Sequence, residues 1–293
     1  MVVFAGQGDA RRSMHLLWRV RDGAAGGPPR PGPRPGLTVE LIVDTAIAVA
    51  DAEGMAALSM RAVGERLGRT AMALYTYVPG KAELVDLMYD RAQAELPAGY
   101  GAAGGWRAAV AAWADDTWAL YLRHPWMLAV SQARPVLGPN EYRALEALLG
   151  ALSGAGLAAG DARRAVATLS SVVRGAARIA AEARQAAAAT GTSEDEWWYA
   201  RSGALEEVAP DFAARFPRVA RLSAEGAFDD AAFDATAPRA DSAGNGSAGN
   251  AQGDGDAAGD AVLYQERVAR EAFAGGLALV LDGIEAAAAR SGR

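Results

Sequence analysis

The stretch LSMRAVGERLGRTAMALYTYVPGKAEL, residues 58–84, decides the fold. Its spacing predicts two short helices joined by a tight turn, then a third helix opening at Lys81. Ser59 is placed to cap the first helix, where Val63 and Leu67 lie four apart on one inward face. Gly68 follows, at the point where a turn between crossed helices needs positive φ or no Cβ. Thr70 is placed to cap the second helix, with Leu74 pointing back at the first, and Pro79-Gly80 ends it. A helix-turn-helix has this spacing, and its second helix enters the major groove of DNA.

Lys81 is the only lysine among 293 residues. It falls in the first turn of a helix, where the macrodipole disfavours a cation. A phosphate docked between that helix end and the ammonium explains the placement. An exposed lysine without a role is the alternative.

Upstream, residues 38–52 have Thr38 as a cap and Glu40 in the first turn. Ile42, Ala46, Val49 and Ala50 form a buried stripe, and Glu53-Gly54 ends the helix. Helices at 38–52, 59–67 and 70–77 then enclose one small core.

The segment LIVDTAIAVADAEGMAALSMRAVGERLGRTAMALYTYVPGKAELVDLM, residues 41–88, resembles the N-terminal domain of TetR/AcrR-type transcriptional regulators. The resemblance rests on D-x-E-G after the first helix, S-M-R opening the next, R-L-G at the turn, L-Y-x-Y-V, and a lysine after the proline. Gly64 departs from it, standing where alanine is usual; both residues are small enough for a close helix crossing. The resemblance implies a homodimeric DNA-binding repressor whose C-terminal helices bind a small molecule. Carried onto these residues, it implies that Arg61 reaches DNA from the start of its helix. Thr70, Ala71, Met72 and Ala73 would face the bases, Tyr75, Thr76 and Tyr77 the backbone or groove wall, and Lys81 a phosphate. The side chains suit those roles: Ala and Met touch thymine methyls, while Thr and Tyr hydroxyls bond phosphates. The reading helix is poor in Arg, Asn and Gln, which Arg69 at the turn partly offsets. Leu74 and Val78 belong to the core, and the ring of Tyr75 is open to either side.

Composition agrees with an all-α chain: Ala, Leu, Glu and Arg dominate, and no β-branched alternation stands out. With no cysteine and only His15 and His124, thiolate chemistry is excluded and no metal site, cofactor or catalytic residue is expected. No signal peptide and no uncharged apolar run of membrane-spanning length is evident, so the expectation is a cytoplasmic protein without a membrane contact. The net charge of −6 divides unevenly. Residues 1–81 carry ten Arg and Lys against seven Asp and Glu, while the remainder carries nineteen against twenty-eight. The basic excess lies at the helix-turn-helix end.

Three regions follow. Residues 1–36 read as a flexible Pro/Gly/Arg arm, with a short amphipathic helix at 13–21. Arg30 and Arg34 on it either reach a minor groove or sit in a solvated linker. His15 has no partner in view. Residues 37–83 are the DNA-binding domain. Residues 84–293 are a helical domain for ligand binding and dimerisation, with 236–261 a low-complexity disordered loop.

In that larger domain, helices are expected at 82–95, 106–123, 140–153, 161–189, 193–210 and 262–289. The glycines at 154–160 read as a helix connector, since no strand precedes them. Trp113, Trp118, Trp126, Met127 and Val130 suit either the wall of a small-molecule cavity or an ordinary core. Arg174, Arg178 and Glu182 recur every four residues as a surface ladder, a dimer contact or a reach toward an anionic ligand. Trp197 and Trp198 are placed to cover a pocket opening. His124 reads as a helix-end cap. Helices 161–189 and 262–289 from two subunits suit an intermolecular four-helix bundle.

The sequence thus predicts a homodimeric regulator of a double-stranded DNA operator, released by an unidentified small-molecule effector. A DNA-binding activator or architectural protein without a ligand is the alternative, and an all-helical enzyme is the remotest.

Overall fold

The computed structural model describes residues 3–19, 36–101, 103–225 and 263–291. Arg30, Arg34 and the expected loop at 236–261 lie outside these. Among the described residues there are twelve α-helices and one two-stranded parallel ladder, so the chain is all-α in class. It divides into two compact units, residues 1–181 with 269–293, and residues 182–268.

The first unit opens with β1 (Val3–Phe4) and α1 (Ala10–Arg19). Over 3–19 the expected flexible arm is therefore folded. The reason is packing: Ala5 and Leu17 are buried in the main core. β1 pairs in parallel with β2 (Val130–Ser131), Val3 opposite Val130.

The reading head comprises α2 (Val39–Ala57), α3 (Met60–Leu67) and α4 (Ala71–Tyr75). Thr38 caps α2 by accepting from the Leu41 N–H. Gly54, at φ 76°, breaks that helix before one further turn. Ser59 accepts from Ala62 N–H, and Gly68 closes α3 in the left-handed region at φ 63°. Thr70 accepts from Ala73 N–H to start α4. Ile42, Ala46, Val63, Leu74 and Val78 are fully buried between these helices.

α5 (Lys81–Gln93) packs against α2, α1 and α7 (Pro139–Leu152). For that reason the compact units do not part near residue 83. Three acids on α5 hold its neighbours. Glu83 accepts from Asp9 N–H (3.3 Å) and Asp86 from Gly6 N–H (2.9 Å). Asp90 accepts from the N–H groups of Asn140 and Glu141 (2.8 and 3.0 Å), holding the first turn of α7. Gly138 is required there, because a Cβ on it would stand 2.1 Å from the Asp90 carboxylate.

α6 (Gly105–Arg123) runs to His124, followed by a 3₁₀ turn (Pro125–Ala129). α8 (Ala159–Thr190) is the longest helix described. The last helix, numbered α12 below (Tyr264–Ser291), buries Ala269, Phe273, Leu277, Leu281 and Ile284 along one stripe. By length and composition it alone among the described helices suffices to cross a membrane. Gly276 faces Val172 on α8, where an added Cβ would meet it at 3.3 Å.

The second unit contains the end of α8, α9 (Glu194–Val208), α10 (Phe212–Arg215), α11 (Pro217–Ala224) and the start of α12. A capping box of Ser193 and Glu196 opens α9. Arg184 pairs with Glu266 on both carboxylate oxygens.

Candidate DNA-reading surface and effector cavity

The reading surface follows from the short α4. Leu74 faces inward, so its neighbours at other angles face solvent: Met72 is 74% exposed, and Tyr75 and Tyr77 stand partly clear. Arg69, Thr70 and Thr76 are exposed, whereas Ala71 and Ala73 are half-buried. Tyr75 therefore turns outward. The close crossing of α3 and α4 depends on Gly64, where an added Cβ would lie 2.7 Å from the Arg69 carbonyl oxygen. The expectation that alanine fits equally well here is thus corrected: the turn backbone fills the space a methyl needs.

Two cations on this surface have partners within the chain. Arg61 pairs with Glu65 at 2.8 Å, an exposed contact of little energetic weight. Lys81 donates from Nζ to the Leu58 carbonyl at 2.6 Å. That bond gives the lone lysine a structural reason for its position, since it satisfies the carbonyl where α2 ends. Two further ammonium protons remain for other acceptors.

A cavity of about 510 Å³ lies among α5, α6 and α7. Trp113 and Val130 line it. Other expected pocket residues do not. Trp118 packs on Phe273 with ring centroids 4.9 Å apart, and Trp126 is buried beside His124. Met127 is fully enclosed in the core. Arg174 is neither a surface rung nor a cavity residue. It donates to the carbonyls of Leu128 (2.8 Å) and Val130 (2.7 Å), since the 3₁₀ turn exposes carbonyls that lack helical partners. Arg178 is exposed on α8. Trp197 and Trp198 line a different cavity, of about 440 Å³, within the second unit. There they meet edge to face at 4.9 Å.

The polar and aromatic lining of the first cavity went unread in the sequence. Thr117 and Tyr121 follow Trp113 at four and eight residues, and Tyr89 precedes Gln93 by four. That helical period is the signal that finds them. Gln132 donates to the Tyr121 hydroxyl (3.3 Å), while the buried hydroxyl of Thr117 has no partner. Glu141 and Tyr142 close one side, and Leu137 on that rim is itself held at φ 62°, a strained backbone for a leucine. Burial pushes the Tyr89 phenol and the Glu141 carboxyl up from their ordinary values, so Tyr89 is a neutral donor across physiological pH. Ala5 supplies a wall from the N-terminal segment, and Trp18 braces the rim by donating to the Leu137 carbonyl (3.2 Å).

The end of α6 and the reading head meet at His124. Its Nδ1 lies 2.8 Å from Asp51 on α2, and its Nε2 2.9 Å from Glu95 just past α5. Carboxylates only accept, so a ring bearing both N–H groups satisfies both. Burial alone would raise the Glu95 carboxyl, but hydrogen bonds from His124 and Arg123 hold it below the usual range.

A helix-turn-helix joined to a helical domain that holds a cavity has the build of a transcription regulator. Residues 42–88 match the family described as "Bacterial regulatory proteins, tetR family", and residues 99–235 match "Tetracyclin repressor-like, C-terminal domain". The chain is 43% identical over 221 residues to the HTH-type transcriptional repressor DrrR1 of Streptomyces coeruleorubidus, spanning 75% of this chain and 79% of that one. Among solved structures, ligand-free ActR of Streptomyces coelicolor superposes with a TM-score of 0.58 at 22% identity, over 88% of this chain and 99% of ActR. ActR in complex with actinorhodin gives 0.59 at 21% identity, over 86% and 96%. At that identity the likeness to ActR speaks for the fold alone. The chain belongs to the TetR family of bacterial regulatory proteins: it is a DNA-binding transcriptional regulator.

Proposed function

We propose that this regulator represses from a double-stranded operator as a cytoplasmic homodimer and is released when an aromatic small molecule fills the 510 Å³ cavity. The observation that carries the reading is the path of α5. Tyr89 and Gln93 at one end line the cavity, and Lys81 at the other is bonded to the end of α2. At 1.5 Å per residue those ends are about 18 Å apart along one rigid helix. A ligand that prefers one tilt of α5 changes the spacing of two reading heads, and it shifts DNA affinity only by its differential affinity for the two states.

Arg61, Arg69, Thr70, Ala71, Met72, Ala73, Tyr75, Thr76, Tyr77 and Lys81 are the proposed DNA contacts. Trp113, Tyr89, Tyr121 and Tyr142 supply flat faces, while Thr117, Gln93 and Gln132 supply hydrogen bonds. That lining suits a planar, polar-substituted ring system of drug size. Dimerisation is assigned to α8 and α12, whose outer faces carry Ile179 (48% exposed) and Leu279 (75%). This is a regulator's role and not an enzyme's. The test is footprinting on the chain's own promoter followed by titration with planar aromatic compounds. A protected site insensitive to every such compound rejects the effector half of the reading, and the lack of any protected site rejects the whole.

A further inference from the structure

We propose that α1 is a second DNA-contacting element, in which Arg11 and Arg12 bind the phosphate backbone beside the reading helix. This rests on the regulator reading above and extends it to a segment that lies before the helix-turn-helix.

The groove that suggests it, about 570 Å³ and open, is shared by three elements. Arg11, Arg12 and His15 come from α1, Val39 and Glu40 from the first turn of α2, and Thr76 and Tyr77 from the end of the reading helix. Both arginines are exposed, and among the described residues neither has an ion-pair partner. Asp9 is already occupied, its carboxylate accepting the Arg12 backbone N–H at 2.8 Å. Asp9 keeps its charge, so two carboxylates and two guanidinium groups line the groove, and among the described residues no ion pair forms between them. The N-terminal end of α2, helical until Gly54 breaks it, adds the positive pole of a helix to the same groove.

The arginines are also held in place. Leu17 buries the inner side of α1, and Asp9 and Gly6 are bonded by backbone N–H to Glu83 and Asp86 on α5. A guanidinium fixed on a folded helix loses less freedom on meeting a phosphate than one on a loose chain. Thr76 and Tyr77 place the groove next to the bases without facing them. Contacts there set affinity and register, not sequence.

The test uses the full chain with a protected promoter fragment and a random-sequence duplex, titrated over a range of salt. Each phosphate contact contributes about 0.9 to the slope of log affinity against log salt. The Arg11→Ala, Arg12→Ala double variant is expected to lower the slope by about 2 on both duplexes. Arg11→Lys, Arg12→Lys is expected to retain it. Both side chains lie outside the core, so helical content and melting temperature serve as controls that should not move. An unchanged slope in the alanine variant, with the parent binding its promoter normally, overturns the proposal alone. A parent that shows no salt-dependent binding overturns the regulator reading and this proposal with it.

Discussion

His124 Nδ1 and the Asp51 carboxylate stand 2.8 Å apart, tying the end of α6 to the first helix of the reading head. With Nε2 on Glu95, one buried ring joins three elements. His124→Ala is expected to cost about 1–3 kcal/mol of stability, because two side-chain hydrogen bonds and the packing of a buried ring are lost together. Its sharper effect is on communication. The ratio of operator affinities without and with effector should fall several-fold toward one, a change within the usual 1–3 kcal/mol of such coupling. Operator binding measured at saturating effector decides it; an unaltered ratio removes His124 from the path.

Gly64→Ala sets two effects against each other. Alanine gains about 0.5–1 kcal/mol in a helix interior. The new methyl, however, meets the Arg69 carbonyl at 2.7 Å, and that backbone cannot move without opening the turn. The clash is expected to win, lowering the melting temperature and weakening operator binding together. A stabilised variant with full binding would show that the crossing has slack.

Lys81→Ala separates structure from DNA contact. Loss of the charged bond to the Leu58 carbonyl is expected to cost about 1.5 kcal/mol or more. If Lys81 also meets a phosphate, the salt slope falls by about 0.9. A melting shift with an unchanged slope confines the lysine to holding α2 and α5 together.

Thr117→Val tests the cavity. Its hydroxyl is buried and has no partner, so the free protein should be as stable or slightly more so without it. An effector that bonds this hydroxyl should bind about 1 kcal/mol more weakly to the variant. Calorimetry with the best releasing compound reads both; unchanged affinity places the ligand elsewhere in the cavity.

Acid should first stabilise the fold and then destabilise it. Burial raises the carboxyls of Asp86, Asp90 and Glu141 above their ordinary values. The native state then binds more protons than the unfolded chain, so stability rises as pH falls through their raised values. Glu95 is shifted the other way, and its contribution is lost as pH falls below the ordinary glutamate value of about 4.3. Denaturant melts from neutral pH downward should show a maximum on the acid side. A monotonic decline from pH 7 contradicts the first half.

The reading head was legible because its signals are local. Ser59, Gly68 and Thr70 each act within four residues of themselves, so spacing alone finds them. Nothing comparable marks β1, whose two residues pair with Val130 and Ser131 far along the chain. The tryptophans looked alike in sequence, yet Trp113 faces the cavity while Trp118 faces α12; which side is which depends on the helices that arrive later. Arg174 misled for the same reason. Its four-residue spacing to Arg178 is that of a surface ladder, and only the folded 3₁₀ turn supplies the carbonyls that draw it inward.

Ala5 walls the cavity, and a few residues on, the same segment carries Arg11 and Arg12 to the groove beside Thr76. Between them Gly8 lies against Glu83, whose carboxylate a Cβ would meet at 2.1 Å and have to displace. Evolution thus finds two traits on one short stretch. On the proposed reading, a substitution that widens what the cavity admits also tugs on the cations at the other end, and effector range and grip on DNA would be inherited together.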